Sequence, residues 1–374
     1  MIIGFYAPMK HPFHPVPSGD RKIANLFIEL FQNLGHSVKI LSAISSWEGK
    51  GDAKRQEESR YTIRLEFERL KKDPEIRTLD LVFVYHAYYK SPDWLGLDLA
   101  QFLKIPYLIA EASYAPRQAG GKWATGHERT KECIQSADAI FCLNPVDEEC
   151  IRELLPSSEN IKKIMPFASY PDRNDQLSDR KRFSHLYKNL DIESVWLICV
   201  AMMRSGDKLH SYYELHEALE SILDESWNLI IIGDGEKSLQ VKSLFSNFGE
   251  RCLFTGELDQ IQIGRWFRVA DCYVWPSVNE AFGMALLEAT SYGLPSLAYD
   301  YGGVDTIIED ERNGFLVTPN NKLLFVERLK LLINDQRIRN RMRVQANTKF
   351  LSDHSLGVVQ IRISEILRKF EPSS

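Results

Sequence analysis

Residues Trp275 to Gly303 read W-P-S-V-N-E-A-F-G-M-A-L-L-E-A-T-S-Y-G-L-P-S-L-A-Y-D-Y-G-G. The apolar run Cys272 to Trp275 before it predicts a short buried strand, Pro276 to Asn279 a turn, and Ala281 to Tyr292 a helix stopped by Gly293 and Pro295. A helix is thus expected to start directly behind the carboxylate of Glu280. First-turn amides have no intrahelical partner and lie at the positive end of the helix dipole, so those of Phe282, Gly283 and Met284 are expected to receive an anion. Gly283 leaves room for a ligand to approach the backbone.

Glu280 stands at the mouth of this site and Glu288 lies about two turns further along the expected helix. Carboxylates repel phosphate, so the natural partners of these two are hydroxyl groups, for which an ionised carboxylate is a strong acceptor. A phosphate flanked by two hydroxyl-rich pieces describes a nucleotide sugar. The plainer reading of the same residues is a strand, a turn and a helix with Glu280 near its start and Glu288 on its solvated face.

The stretch resembles the signature of the retaining glycosyltransferases of family 4, in which two glutamates separated by seven residues sit inside P-S-x-x-E-x-F-G-x-x-x-x-E-A-x-x-x-G-x-P. Glu280 and Glu288 match the pair, Phe282 and Gly283 the turn, and Gly302 and Gly303 the glycine loop that follows. The resemblance implies the α/β GT-B fold: two Rossmann-like domains facing each other across a cleft. It covers the second half of the chain well and the first half loosely.

A chain of 374 residues is long for one core and comfortable for two domains. Apolar content of 44% and charged content of 26% are those of a globular protein that can bury a large core. A formal charge of -5 gives no general drive toward nucleic acid. The start M-I-I-G-F-Y-A-P lacks the features of a signal peptide, and no apolar run approaches the ~20 residues that span a bilayer, so a cytoplasmic location is expected. Six cysteines without a C-x-x-C pair read as reduced core residues rather than a disulfide or zinc framework.

Taken in order, the first domain is expected over residues 1–168. Strand Ile2 to Tyr6, a helix from about Gly19 to Leu34 and strand Val38 to Leu41 make an opening β-α-β unit. The loop before that helix holds His11 and His14, which could touch substrate or pack within the loop. Residues 48–77 form a charged amphipathic segment, either a solvated face or one that lies on anionic lipid, which makes peripheral membrane contact at the inner face a possibility. Strand Leu79 to Tyr85 ends in Tyr85-His86-Ala87-Tyr88-Tyr89, and ligands of open α/β sheets bind at such carboxyl ends, so His86 and Tyr88 are acceptor-side candidates. Strand Tyr107 to Ala110 leads into Glu111 and a loop containing Arg117, Lys122 and His127; Glu111 and Arg117 are further candidates. Ala139 to Leu143 and Ile161 to Met165 complete this sheet. The resemblance places Gly19, in Ser18-Gly19-Asp20-Arg21, at the family's cleft-facing glycine loop. It also implies a histidine beside the transferred sugar near residue 111, where this chain has Glu111 followed by Ala112.

Weak periodicity from Pro166 to Asp191 marks a linker, and a second domain is expected over 169–354. Strand Trp196 to Met202 runs into Met203-Arg204-Ser205-Gly206-Asp207-Lys208, where two cations after a strand suit a diphosphate. The resemblance assigns Arg204 and Lys208 that duty, Gly233 in Gly233-Asp234-Gly235 to a donor-side turn, and Leu258 to the loop near the nucleotide base. The terminal stretch 355–374, with Val359, Ile363, Ile366 and Leu367 on one face, is expected to return to the first domain.

The resemblance implies transfer of a sugar from a nucleotide diphosphate sugar to a carbohydrate or lipid-linked acceptor hydroxyl, with retention, in cell-surface polysaccharide or glycolipid assembly. Arg204, Lys208 and the amides at Phe282 and Gly283 would stabilise the departing diphosphate, Glu280 would hold sugar hydroxyls and Glu288 the ribose, with Glu111 on the acceptor side. No cofactor and no metal is expected, since fixed cations take the ion's place and no D-x-D motif stands beside a strand end. A sugar phosphorylase or an epimerase on the same fold, or a non-catalytic nucleotide-sugar-binding partner of another transferase, are the alternatives.

Overall fold

The computed structural model describes residues 1–16, 18–169, 171 and 180–371. They divide into two compact units, one comprising Met1–Phe167 with the C-terminal stretch from Leu356, the other Ala168–Ser355. Of the stretch 166–191, residues 170 and 172–179 lie outside the described residues, while Arg180–Leu186 is helical.

Unit 1 is a six-stranded sheet of β1 (Ile2–Tyr6), β2 (Ser37–Ile40), β3 (Leu81–Tyr85), β4 (Tyr107–Ala110), β5 (Ala139–Cys142) and β6 (Ile161–Lys163), in the order β2-β1-β3-β4-β5-β6. All pairings are parallel, and helices cover the faces, which is why the inner strands read as unbroken apolar runs such as L-V-F-V-Y. Helix Gly19–Asn33 packs Phe27 and Phe31 onto Phe83, with ring centroids 5.1 and 4.9 Å apart. Ser18 starts that helix by accepting from the Arg21 amide at 3.2 Å. Helix Leu356–Leu367 belongs to this unit and buries Val359, Ile363 and Leu367.

Unit 2 is built the same way from β7 (Val195–Val200), β8 (Trp227–Ile232), β9 (Cys252–Gly256), β10 (Cys272–Val274), β11 (Ser296–Tyr299) and β12 (Gly314–Val317). Its order is β12-β11-β10-β7-β8-β9, again all parallel. In each sheet the winding reverses at one place: between β1 and β3 in unit 1, and between β7 and β10 in unit 2. At such a reversal the two flanking loops diverge and leave a crevice at the carboxyl ends of the strands.

The helix behind Glu280 starts later than its sequence suggests, spanning Met284–Ser291 instead of Ala281 to Tyr292. Gly283 is left-handed (φ 78°, ψ 79°), which breaks the helical path, and the Ala281 carbonyl accepts from the Gly303 amide at 2.5 Å instead of from a turn of helix. The unpaired first-turn amides are therefore those opening at Met284, and Phe282 and Gly283 precede the helix. All six cysteines are free, four of them buried.

Candidate active site in the second unit

The segment after β7 holds Arg204 and Lys208, and the turn after β10 holds Glu280; the reversal of winding brings these segments side by side. Arg204, Ser205, Gly206, Asp207, Lys208, Val278, Asn279 and Glu280 line one cavity of about 280 Å³. The Lys208 ammonium forms an ion pair with the Glu280 carboxylate and lies 5.8 Å from the centre of the Trp275 ring. Arg204 is exposed at the same mouth. A cavity of about 300 Å³ at the opposite edge, lined by residues such as Asp191, Asn228 and Arg251, lies where strands begin, the edge that does not bind ligands in this architecture.

Backbone close approach explains the glycines. The Gly233 φ is 140°, and a Cβ there would lie 2.0 Å from the Ala201 carbonyl oxygen; at Gly235 it would lie 2.4 Å from that of Met203. The turn thus lies against the segment that ends in Arg204, and the Met203 amide donates to the Asp234 carbonyl at 2.9 Å. Gly302 (φ 56°) does the same behind Glu280, where a Cβ would meet its carbonyl oxygen at 2.4 Å.

Asp207 and Asn279 are the residues the sequence reading passed over. The Asn279 side-chain amide donates to Asp207 Oδ1 at 3.0 Å, and the Val278 amide donates to Ser211 Oγ at 3.0 Å, which ties the two loops together. Ser277 and Asn279, in the turn that leads to Glu280, both have positive φ (57° and 50°). Glu288 is half-buried in the second turn of the helix and, with Phe282, Gly283 and Met284, lies outside the residues lining this cavity. Leu258 follows β9 beside the capping box of Asp259 and Gln262.

The winding reversal of unit 1 carries its own cluster. Asp20, in the helix after β1, accepts from or pairs with His86 Nδ1 at 2.8 Å, directly after β3. Burial pushes the His86 imidazolium down, but the bond and charge of Asp20 more than offset this and hold it above its ordinary value. Burial likewise raises Asp20, and His86 outweighs it, so that carboxyl titrates below its usual range. Glu111 follows β4 and accepts from the Leu143 amide at 3.1 Å. Burial pushes its carboxyl up to about 7, against the opposing charge of His86 and with help from Asp147. His86 and Glu111 both hold left-handed φ, 60° and 54°, a local cost of about 1–3 kcal/mol each. Asp20 and Asp147 carry no local motif that would single them out.

The remaining candidates fall elsewhere. Gly19 is the exposed first residue of its helix, and Arg117 lies on the exposed turn Pro116–Gln118. His127, expected on a loop, is instead buried in helix Ala124–Ser136 with its ring 5.1 Å from Tyr114, because the helix begins before it. His11 and His14 accept from the amides of Phe13 and Val16, each at 3.1 Å, and so pack within their own loop. Among the described residues no group of three or more His, Cys, Asp or Glu is arranged to hold a metal ion, and no helix is long and apolar enough to cross a membrane.

The family described as Glycosyl transferases group 1 matches residues 198–349, the stretch that contains Arg204, Lys208, Glu280 and Glu288. That match lies wholly within unit 2. A similar protein is the sulfoquinovosyl transferase SQD2 of Arabidopsis thaliana, 33% identical over 33% of this chain and 25% of its own length. Another is the UDP-Gal:alpha-D-GlcNAc-diphosphoundecaprenol alpha-1,3-galactosyltransferase of Escherichia coli, 24% identical over 58% of this chain and 56% of that protein. The chain thus spans between a quarter and about half the length of these relatives. Among solved structures, Anabaena HepE in complex with UDP aligns over 99% of this chain and 100% of that one, with a TM-score of 0.75 and 14% identity. That likeness establishes the fold, two Rossmann-like α/β units of the GT-B class.

Proposed function

We propose that the chain is a retaining glycosyltransferase of family 4 that moves a sugar from a nucleotide diphosphate sugar to an acceptor hydroxyl. The observation that carries the reading is the single cavity at the winding reversal of unit 2, where Arg204, Lys208 and Glu280 converge. Two cations suit a diphosphate, a carboxylate suits sugar hydroxyls, and their segments are locked to each other by Asp207 and Asn279. The glycosyl transferases group 1 match, the transferase relatives and the UDP held by a protein of the same fold support it.

In this reading the bond between the anomeric carbon and the diphosphate oxygen breaks, and the electron pair leaves with the diphosphate. Arg204 and Lys208 stabilise that charge, together with the amides opening the helix at Met284. Glu280 holds hydroxyls of the transferred sugar and Glu288 those of the ribose, while Gly233 and Leu258 border the nucleotide. The acceptor oxygen attacks the same face of the sugar and passes its proton to the leaving diphosphate, so no protein nucleophile or resident metal is invoked. His86, Tyr88, Glu111 and Arg117 belong to the acceptor side, and the acceptor is a carbohydrate or lipid-linked glycan of cell-surface polysaccharide or glycolipid assembly, met at the cytoplasmic face of the membrane.

Titration calorimetry with UDP tests the donor half. A charge-assisted hydrogen bond contributes about 1.5–3 kcal/mol, so Lys208→Met is expected to weaken UDP binding by about 10- to 100-fold. Binding unchanged in that variant would remove Lys208 from the site. A thermal-shift panel of uridine, guanosine and adenosine diphosphate sugars then identifies the base, because the tighter ligand raises the melting point further. Activity lost on EDTA treatment would contradict the metal-free scheme.

A further inference from the structure

A run of aromatic rings extends outward from the His86 end of β3 in unit 1. The Tyr88 ring lies 5.3 Å from that of His86, and Tyr88 Oη accepts from the Trp47 indole Nε1 at 3.2 Å. Tyr89 continues the run to Trp123 at 5.6 Å, and the Lys90 ammonium sits over Trp123 (4.9 Å) and Tyr89 (5.6 Å). Lys90 therefore takes up faces of the two outer rings. Trp47 is 54% exposed, an unusual state for a residue of its size.

The segment that carries this indole is nevertheless held in place. Glu48, only 6% exposed, accepts from the amides of Lys50 (2.7 Å), Gly51 (2.6 Å) and Asp52 (3.0 Å). Its carboxylate also receives the Trp123 indole N–H at 3.2 Å, and its own amide donates to the Lys90 carbonyl at 2.8 Å. One buried residue thus joins the segment bearing Trp47 to Trp123 through its carboxylate and to the segment bearing Tyr88 through its amide. Trp47 also folds back over Gly49, where a Cβ would stand 2.6 Å from its ring. A ring fixed before its partner arrives loses little rotamer entropy on binding.

We infer that Trp47 and Tyr88 form a stacking platform for a neutral pyranose ring of the acceptor glycan, a subsite that deepens the glycosyl-transfer reading and rests on it. A pyranose presents a face of C–H groups, which packs on an aromatic face, and a rim of hydroxyls. The rim meets polar groups here: the Tyr88 hydroxyl, and beyond it the Asp20–His86 pair one ring away. An acyl chain has no hydroxyls to meet that rim and would dehydrate the Tyr88 hydroxyl and the Lys90 ammonium without offering either a hydrogen bond.

Saturation-transfer NMR on the full chain tests this, with lactose, cellobiose and N,N'-diacetylchitobiose as probes and irradiation of aromatic protons. Transfer to the ring C–H protons of at least one disaccharide is expected, weakened roughly five-fold or more in Trp47→Ala and retained in Trp47→Phe, which keeps an aromatic face. Transfer to none of the three, or equal transfer in Trp47→Ala, overturns the platform. Transfer to the acyl protons of phosphatidylglycerol vesicles in place of the sugars overturns it in favour of a lipid surface. A UDP titration of the unmutated protein reports on the donor reading alone: no UDP binding with intact disaccharide transfer would reject that reading and leave the platform standing.

Discussion

Replacing Glu280 by glutamine should strengthen nucleotide binding while it stops the reaction. The Lys208 ammonium is paired with Glu280, and the two side chains are 22% and 21% exposed. An arriving diphosphate must draw Lys208 away from that carboxylate and then sit beside it. Two unit charges about 4 Å apart interact by about 1 kcal/mol in water and about 4 kcal/mol at an effective dielectric of 20. For groups about one-fifth exposed the lower part of that range applies, about 1–2 kcal/mol after solvent screening. Glu280→Gln removes the charge and keeps the shape and hydrogen-bonding capacity, so UDP should bind about 5- to 30-fold tighter. Turnover with a nucleotide sugar should fall on the order of 10²-fold, because the amide is a poorer acceptor for sugar hydroxyls as charge develops. Calorimetry at low and high ionic strength gives the assay, and the gain in affinity should shrink as salt screens it. Weaker UDP binding in Glu280→Gln would refute the reasoning, since it would mean that Glu280 orders Lys208 for the diphosphate and does not compete with it.

The half-buried cluster of unit 1 makes stability fall with rising pH. The unfolded Glu111 carboxyl loses its proton near the ordinary 4.5 while the folded one keeps it to about 7, so the folded state binds more protons across that window and up to about 3 kcal/mol is lost as pH rises through it. His86 acts in the same sense, since its raised value gives a contribution present below the ordinary 6.5 and lost as pH rises through the folded value. Melting temperatures from pH 4.5 to 8 should decline in the unmutated protein and decline less in Glu111→Gln; superimposable profiles would show that Glu111 is not the proton holder. Gly233→Ala should destabilise by about 2–3 kcal/mol in urea unfolding and weaken UDP binding, since backbone at 2.0 Å must move and Arg204 with it. Gly120→Ala, with open space around the new methyl, should leave the midpoint unchanged, and equal effects of the two would dismiss the close-approach argument.

Much of this molecule is legible in one dimension because its cause is local. The inner strands of two parallel sheets are buried on both faces, so each shows as an apolar run, and loops that follow such runs carry Arg204, Lys208, Glu111 and Glu280. Glycines that permit a close approach stand out for the same reason. Propensity over Ala281 to Tyr292 favours a helix, yet the helix starts only at Met284, because Gly302 and Gly303 hold the Glu280–Ala281 backbone from another part of the chain and Gly283 turns left-handed.

Residue identity along the chain determined the α/β class, the two cores and the kinds of side chain gathered after each strand, since hydrophobic period and turn chemistry act over a few neighbours. The partnerships were decided by tertiary structure alone: Lys208 with Glu280 across 72 positions, Asp207 with Asn279 across another 72, and His86 with Asp20 across 66. Each spans a place where the winding of a sheet reverses, and a reversal is a property of strand order in space, which no window of sequence contains.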